Sequence, residues 1–199
     1  VLAEGGPIEG SISAQRTREM LQSWRAQGVS ANPSMKTYWY QIWPAIPGYD
    51  ISPDYVAWRT EIEALSAIAY GVVMDQVSSD LGDKRIYLSP VGEAFATLSL
   101  AVENAEIRDI ADFTEVFFPT DDIHPSVVGF YFVALVHFAV LAQRNPKDLK
   151  WKNFVRQYGA PFDTHHLTEA AAADMADLAW DVVSNHPYAG IAARPVKSS

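Results

Sequence analysis

The run KTYWYQIW, residues Lys36–Trp43, is the stretch of sequence that decides the predicted fold. Its aromatic and β-branched side chains are typical of a buried strand. Asn32-Pro33 breaks the chain before this run, and Pro44, Pro47 and Gly48 end it in a loop. The run is therefore predicted to be one strand of a sheet, with a loop at each end.

Helical patterns and two further strands flank this strand. A helix is predicted from about residue 14 to 27, and a longer one from Ser52-Pro53-Asp54 to about residue 79, with apolar residues at helical spacing. Residues 85–89 resemble a second strand, and Pro90 suits the first turn of the helix 91–103 that follows. Val1-Leu2-Ala3 looks like the end of a strand whose beginning is missing, which indicates a processed or truncated chain.

Strands that alternate with helices imply parallel pairing and right-handed crossovers. The sequence therefore predicts a three-layer α/β/α, flavodoxin-like domain with a parallel sheet, some of whose N-terminal strands are absent or lie on another chain. Residues 1–145 are assigned to this domain. Residues 146–199, with helical patterns at about 149–158 and 168–184, are assigned to a helical extension packed on the same domain.

Composition excludes several classes of function. The chain has 199 residues, a net charge of −9 and 15 basic residues that never run longer than a pair, which argues against a nucleic-acid partner. It has no cysteine, which excludes disulfides, thiolate catalysis and thiolate zinc sites but leaves the compartment open, cytoplasmic or periplasmic. No stretch reaches the roughly 18 apolar residues of a membrane span, so no such span is predicted.

The segment Asp121-Asp122-Ile123-His124-Pro125 carries the most informative chemistry. An Asp three residues before a His can curl back and accept a hydrogen bond from one imidazole nitrogen, which leaves the other nitrogen to face a nucleophile. The alternative is that Asp121 or Asp122 only caps the helix that follows, with His124 an exposed residue beside it. Both interpretations fit the pattern.

The same segment, with Ser126 and Gly129-Phe130-Tyr131 after it, resembles the last conserved block of the SGNH/GDSL hydrolases, which reads Asp-x-x-His-Pro. The resemblance implies that His124 is the general base and that Asp121, not Asp122, orients it. It also implies a nucleophilic serine in a Gly-Asp-Ser-Leu-like turn, and this sequence has no such turn. Ser11, in Glu9–Ile12, is the nearest imitation, so the serine is expected from a segment or companion chain outside this sequence.

Four other residues are candidates for the oxyanion hole or for substrate contact. In the hydrolases that the segment resembles, an oxyanion-hole Asn falls near Glu4-Gly5-Gly6, where this chain has none. The backbone amides of Gly5 or Gly6 could still donate to an oxyanion, and Glu4 could contact substrate. A simple Gly-Gly turn is the alternative. Trp43, just before Pro44, is a candidate for lining a pocket, with core packing as its alternative.

The remaining histidines do not indicate a metal or cofactor site. His137 lies in an apolar helical stretch and is predicted to be a core histidine with a satisfied partner. His165-His166 with Asp163 contains zinc-ligand types but no obvious third ligand, because adjacent side chains point in different directions. No metal and no cofactor are predicted.

The sequence thus favours a serine ester hydrolase, possibly a deacetylase, acting on a carbohydrate or another small acyl ester. A non-catalytic domain that binds a glycan or a protein is one alternative, and it would explain the absence of the serine. An acyltransferase is another, because it would use the same residues and differ only in its acceptor.

Overall fold

The computed structural model describes residues 2–3, 10–81, 86–158 and 167–191. Three parallel strands lie side by side in the order β1-β2-β3. They are β1 (Leu2–Ala3), β2 (Thr37–Tyr40) and β3 (Ile86–Ser89). Tyr40 lies opposite Ala3 on one side and opposite Ser89 on the other, so the carboxyl ends of the three strands are level.

The prediction of a three-layer α/β/α, flavodoxin-like domain is wrong. The described part of the chain is mostly helical, with 63% of its residues in helices and 6% in strands. Among the described residues, β2 and β3 pair over four residues, and β1 adds two. The predicted strand Lys36–Trp43 ends at Tyr40, because β3 offers no partner beyond Ser89, where Pro90 introduces the next helix. Strand propensity alone therefore overestimated the sheet.

Helices account for the rest of the regular structure in the described ranges. The α-helices are α1 (Gly10–Ala31), α2 (Tyr55–Ile68), α3 (Asp75–Leu81), α4 (Val91–Glu103), α5 (Val127–Ala142), α6 (Trp151–Tyr158) and α7 (Glu169–Asn185). Short 3₁₀ turns occur at Phe113–Val116 and Pro146–Asp148.

The predicted long helix from residue 52 to 79 consists of three joined pieces. Asp54 caps α2, since its Oδ1 accepts a hydrogen bond from the Ala57 amide at 2.9 Å. After Ile68 the helix widens into a π-helix over Ala69–Met74, called here the π segment, and then tightens again into α3. The apolar face continues through the π segment, where Val73 and Met74 are buried.

Side chains of the sheet pack on both faces. Trp39 and Leu88 pack with Leu21 of α1 and with the π segment in the smaller of two apolar clusters. Tyr38 and Tyr40 point the other way, because side chains alternate along a strand. They pack against the larger cluster, which contains Phe95, Phe132 and Met175 of α4, α5 and α7.

The region after residue 146 contributes to this larger cluster. Val183 of α7 is fully buried there, and Trp151, Phe154, Leu178 and Trp180 pack against it with part of their surface exposed. Across the described ranges, no helix combines the length and apolar character that a membrane crossing requires.

Candidate active site

The loop between the first 3₁₀ turn and α5 carries the Asp121–His124 segment, and main-chain hydrogen bonds close it. Phe118 N donates to His124 O at 3.1 Å, and Ser126 N donates to Val116 O at 2.9 Å. Asp121 N donates to Phe118 O at 3.0 Å and tightens the turn. The loop therefore has a defined backbone conformation in which Asp121 and His124 lie on the same side.

The Asp121 carboxylate accepts three hydrogen bonds from its own loop. Its Oδ2 lies 2.6 Å from His124 Nδ1. Its Oδ1 accepts from the backbone amides of Ile123 at 3.0 Å and His124 at 2.9 Å. The contact that the Asp-x-x-His spacing predicts is thus present, and two backbone amides fix the orientation of the carboxylate.

These hydrogen bonds also set the charge of the site. The backbone amides of His124 and Ile123, followed by the His124 side chain, lower the pKa of the Asp121 carboxyl, so it is ionised at neutral pH. An ionised carboxylate only accepts, so Nδ1 must carry the shared proton. In the neutral imidazole, Nε2 then holds a lone pair that can take a proton.

The Nε2 side of His124 is open. The side chain of His124 is 67% exposed, against 34% for Asp121. Among the residues that the structure describes, none forms a hydrogen bond with Nε2. The pair therefore presents a basic nitrogen to solvent, with its other nitrogen held in place.

Residues that follow β2 hold this loop from behind. Trp43 donates its indole N–H to Ile123 O at 2.9 Å, and Ile46 N donates to Asp122 O at 3.0 Å. The Trp43 ring packs edge-on against Phe95 and is 7% exposed, which leaves little surface for a substrate. The structure places Trp43 as a support of the loop, and its contact with a substrate stays a prediction.

The position of the loop relative to the sheet is favourable for ligand binding. Trp43 and Ile46 come just after the carboxyl end of β2, and they contact the Asp121–His124 loop directly. Ligands of open parallel sheets bind beyond the carboxyl ends of the strands. The two groups of the pair therefore lie beyond the carboxyl end of β2.

Neither aspartate caps α5. Ser126 is the N-cap residue, with Oγ accepting from Gly129 N at 3.4 Å and donating to Glu115 O at 2.8 Å. The capping interpretation of Asp121 and Asp122 is therefore wrong. Ser126 uses its hydroxyl in these two contacts, so it is not aimed at His124.

Of the other residues that the sequence analysis discussed, some lie in the described ranges and some do not. His137 is the predicted core histidine: its Nδ1 lies 2.9 Å from Ser89 Oγ, its ring meets the Tyr40 ring edge-on, and burial lowers its pKa. Glu4, Gly5 and Gly6 lie outside the described residues, as do Asp163, His165 and His166 and the side chain of Ser11. Within the described ranges, no three His, Asp or Glu side chains form a group that could hold a metal ion.

The sequence did not predict a second polar cluster, in which Gln41, the residue after β2, joins Ser66, Tyr70, Glu93 and His186. These residues come from four separate parts of the chain. No local motif links them, so only the fold could bring them together.

Comparison of the chain with protein-family models, with curated protein sequences and with solved structures gives no match.

Proposed function

We propose that the Asp121–His124 pair is the base of a serine ester hydrolase. One observation carries this proposal: the 2.6 Å contact between His124 Nδ1 and Asp121 Oδ2, on an imidazole that is 67% exposed and whose Nε2 has no hydrogen-bond partner among the described residues. A carboxylate that holds one imidazole nitrogen and leaves the other open is the arrangement that general-base catalysis requires.

In the proposed reaction a serine hydroxyl attacks the ester carbonyl while Nε2 of His124 takes its proton. Asp121 stabilises the imidazolium that forms. The imidazolium then returns the proton to the departing alkoxide, which leaves as the alcohol and gives an acyl-enzyme. Water, activated by the same nitrogen, hydrolyses the acyl-enzyme to the carboxylic acid and the free serine.

The serine is the open part of the proposal. Across the described ranges no serine hydroxyl forms a hydrogen bond with His124. The proposal therefore requires a serine from residues that the structure does not describe, from a companion chain or from a segment outside this sequence. Backbone amides such as those of Gly5 and Gly6 remain candidates for the oxyanion hole.

A carbohydrate ester or another small acyl ester is the substrate class that we propose. The exposed face of His124 suits an ester that projects from a larger, soluble molecule, because such an ester need not enter a deep cavity. The acidic net charge of −9 disfavours a strongly anionic substrate.

Hydrolysis of short-chain nitrophenyl esters tests the proposal, with Asp122→Asn as a matched control. Asp121→Asn presents an amide to Nδ1 and should lower kcat by about 100-fold or more, as loss of the orienting or basic group does in other triads. His124→Ala should lower kcat at least as much. Asp122→Asn removes a neighbouring carboxylate whose side chain takes no part in the pair, and it should leave kcat unchanged.

A fluorophosphonate probe, which labels activated serines, reports on the nucleophile in the same samples. Labelling that disappears in His124→Ala supports the proposal. Equal turnover in wild type and His124→Ala contradicts the assignment of the base. A chain that neither hydrolyses the esters nor takes up the probe, alone or with a companion chain, contradicts the proposed activity.

A further inference from the structure

A groove between α4 and the helix formed by α2 and the π segment is separate from the Asp121–His124 pair. Its volume is about 500 Å³, within the range of about 300–1,000 Å³ typical of small-molecule sites. Ile62, Ala67, Ala96 and Leu100 line its walls. Leu100 is 47% exposed, so the groove leaves a large apolar side chain in contact with solvent.

One carboxylate interrupts this apolar lining. Glu93, in the first turn of α4, lines the groove and is held by polar groups behind it. Gln41 Nε2 lies 3.4 Å from its Oε1, and the Ser66 hydroxyl also donates to the carboxylate. Burial raises the Glu93 pKa, while hydrogen bonds from His186, Ser66 and Gln41 and any positive charge on His186 lower it, and the net direction is downward. The carboxyl group is therefore ionised at neutral pH.

His186 does not supply the missing positive charge. Its Nδ1 accepts a hydrogen bond from the Tyr188 backbone amide at 3.2 Å, which requires a lone pair on that nitrogen. The ring proton must then be on Nε2, which lies 2.8 Å from the Tyr70 hydroxyl and 3.4 Å from Glu93 Oε2. In this arrangement the imidazole is neutral, so it orients the carboxylate without compensating its charge.

The other charged residues along the groove leave it negative. Arg59 is engaged elsewhere, with its guanidinium 2.9 Å from Glu103 and 3.0 Å from the Ser99 hydroxyl. Glu63, at the rim, adds a second carboxylate. A half-buried carboxylate lies beside apolar walls and has no cation paired to it. Such a site favours a ligand that carries a positively charged group.

The π segment supports the same conclusion. Single π turns inside helices occur frequently at functional sites. This one contains Tyr70, whose hydroxyl contacts His186 and which lines the groove beside Glu93.

We propose that this groove binds a small apolar molecule that carries one ammonium group, with Glu93 as its counter-ion and the Leu100 side of the groove as its apolar contact. The apolar body of the ligand would displace water from Leu100 and Ala96, while the ammonium would donate to the Glu93 carboxylate. This inference does not depend on the proposed hydrolase activity.

Binding of n-hexylammonium, followed by amide chemical shifts in ¹⁵N-labelled protein, tests the proposal. Hexan-1-ol, which has the same chain without the charge, is the ligand control. We expect shifts that saturate for n-hexylammonium around Ala67, Tyr70 and Ala96, and about tenfold weaker binding or more for hexan-1-ol. Glu93→Gln should weaken n-hexylammonium by a similar factor, whereas Glu63→Gln at the rim should change it less than about threefold.

A second pair of variants keeps the test decisive if Glu93→Gln does not fold. Ala67→Phe fills the groove from the exposed face of α2, and Ala64→Phe adds the same ring to that helix outside the groove lining. The first should abolish binding and the second should not. Equal binding of hexan-1-ol and n-hexylammonium, or equal binding to both phenylalanine variants, would overturn the proposal.

Discussion

Substitution by alanine should change the stability of the protein in opposite directions at two glycines that lie in helices. Gly129 is in the first turn of α5, where a Cβ would lie 2.3 Å from Val116 O and 2.6 Å from Pro125 Cβ. Gly71 is in the π segment, where a Cβ would meet nothing within 4 Å. Glycine to alanine favours a helix by up to about 1 kcal/mol in either place. The two sites therefore differ in the space that is available for the added methyl group.

At Gly129 the obstacle is backbone, which cannot rotate away as a flexible side chain can. Overpacking of this kind costs about 1–3 kcal/mol, and a backbone obstacle favours the upper end of that range. Subtracting the helix gain leaves Gly129→Ala less stable than wild type by about 2 kcal/mol, and Gly71→Ala more stable by about 0.5–1 kcal/mol. In a domain of this size those changes correspond to a fall in Tm of about 4–8 °C and a rise of about 1–4 °C.

Urea unfolding followed by tryptophan fluorescence and by circular dichroism measures both variants, because the chain has six tryptophans. The m value should stay constant, so that the shift in midpoint reports stability. Gly129→Ala that is as stable as wild type would refute the close approach of α5 to Val116. A fall in stability for Gly71→Ala would refute the open space around the π segment.

Three further predictions concern the loop and its supports. Trp43→Phe leaves Ile123 O without its indole donor and should cost about 1–3 kcal/mol of unfolding free energy, measured by urea unfolding; no change would contradict the support role of the indole. Asp112→Ala removes a capping box, in which Asp112 Oδ1 accepts from Thr114 N and Glu115 Oε1 accepts from Asp112 N, and should lower stability by about 1 kcal/mol in the same assay. Because hydrogen bonds lower the pKa of Asp121 in the folded chain, its contribution to stability is present above its unfolded pKa of about 4 and is lost as pH falls through the lower folded value. Asp121→Asn should therefore lose less stability than wild type between pH 7 and pH 3, and an identical loss in both would contradict the lowered pKa.

Local patterns in the sequence predicted the helices well. The start of α4 at Val91 follows from Pro90, and the structure confirms it. Such features act through neighbours along the chain, so a sequence shows them directly.

The size of the sheet was not predictable from neighbours along the chain, because the length of a paired strand depends on its partner strand. Residues 41–43 have high strand propensity, but β3 stops at Ser89, so the ladder ends with the hydrogen bond from Gln41 N to Ser89 O at 3.0 Å. The π segment was missed for a related reason: it keeps the apolar face of the helix continuous, so the pattern of residues 52–79 resembles one α-helix.

The candidate site likewise combines a contact that local sequence predicts with contacts that depend on the fold. Asp121 and His124 are three residues apart, and their contact was readable from spacing. The Trp43 indole meets Ile123 across 80 residues, and Tyr70 meets His186 across 116, so these contacts depend on the whole fold. Sequence could supply Trp43 as a candidate but not its place behind the loop.

The π segment also has a consequence for changes in chain length. A π turn holds one residue more than an α turn over the same rise, so Ala69–Met74 contains a residue that the helix can lose. Deleting Gly71 should convert this turn to α-helix and keep α3 in its original register. A deletion elsewhere in α2 would rotate everything after it by about 100°, because an α-helix has about 3.6 residues per turn. The joined helix is thus most tolerant of a one-residue deletion in the π segment, beside the groove.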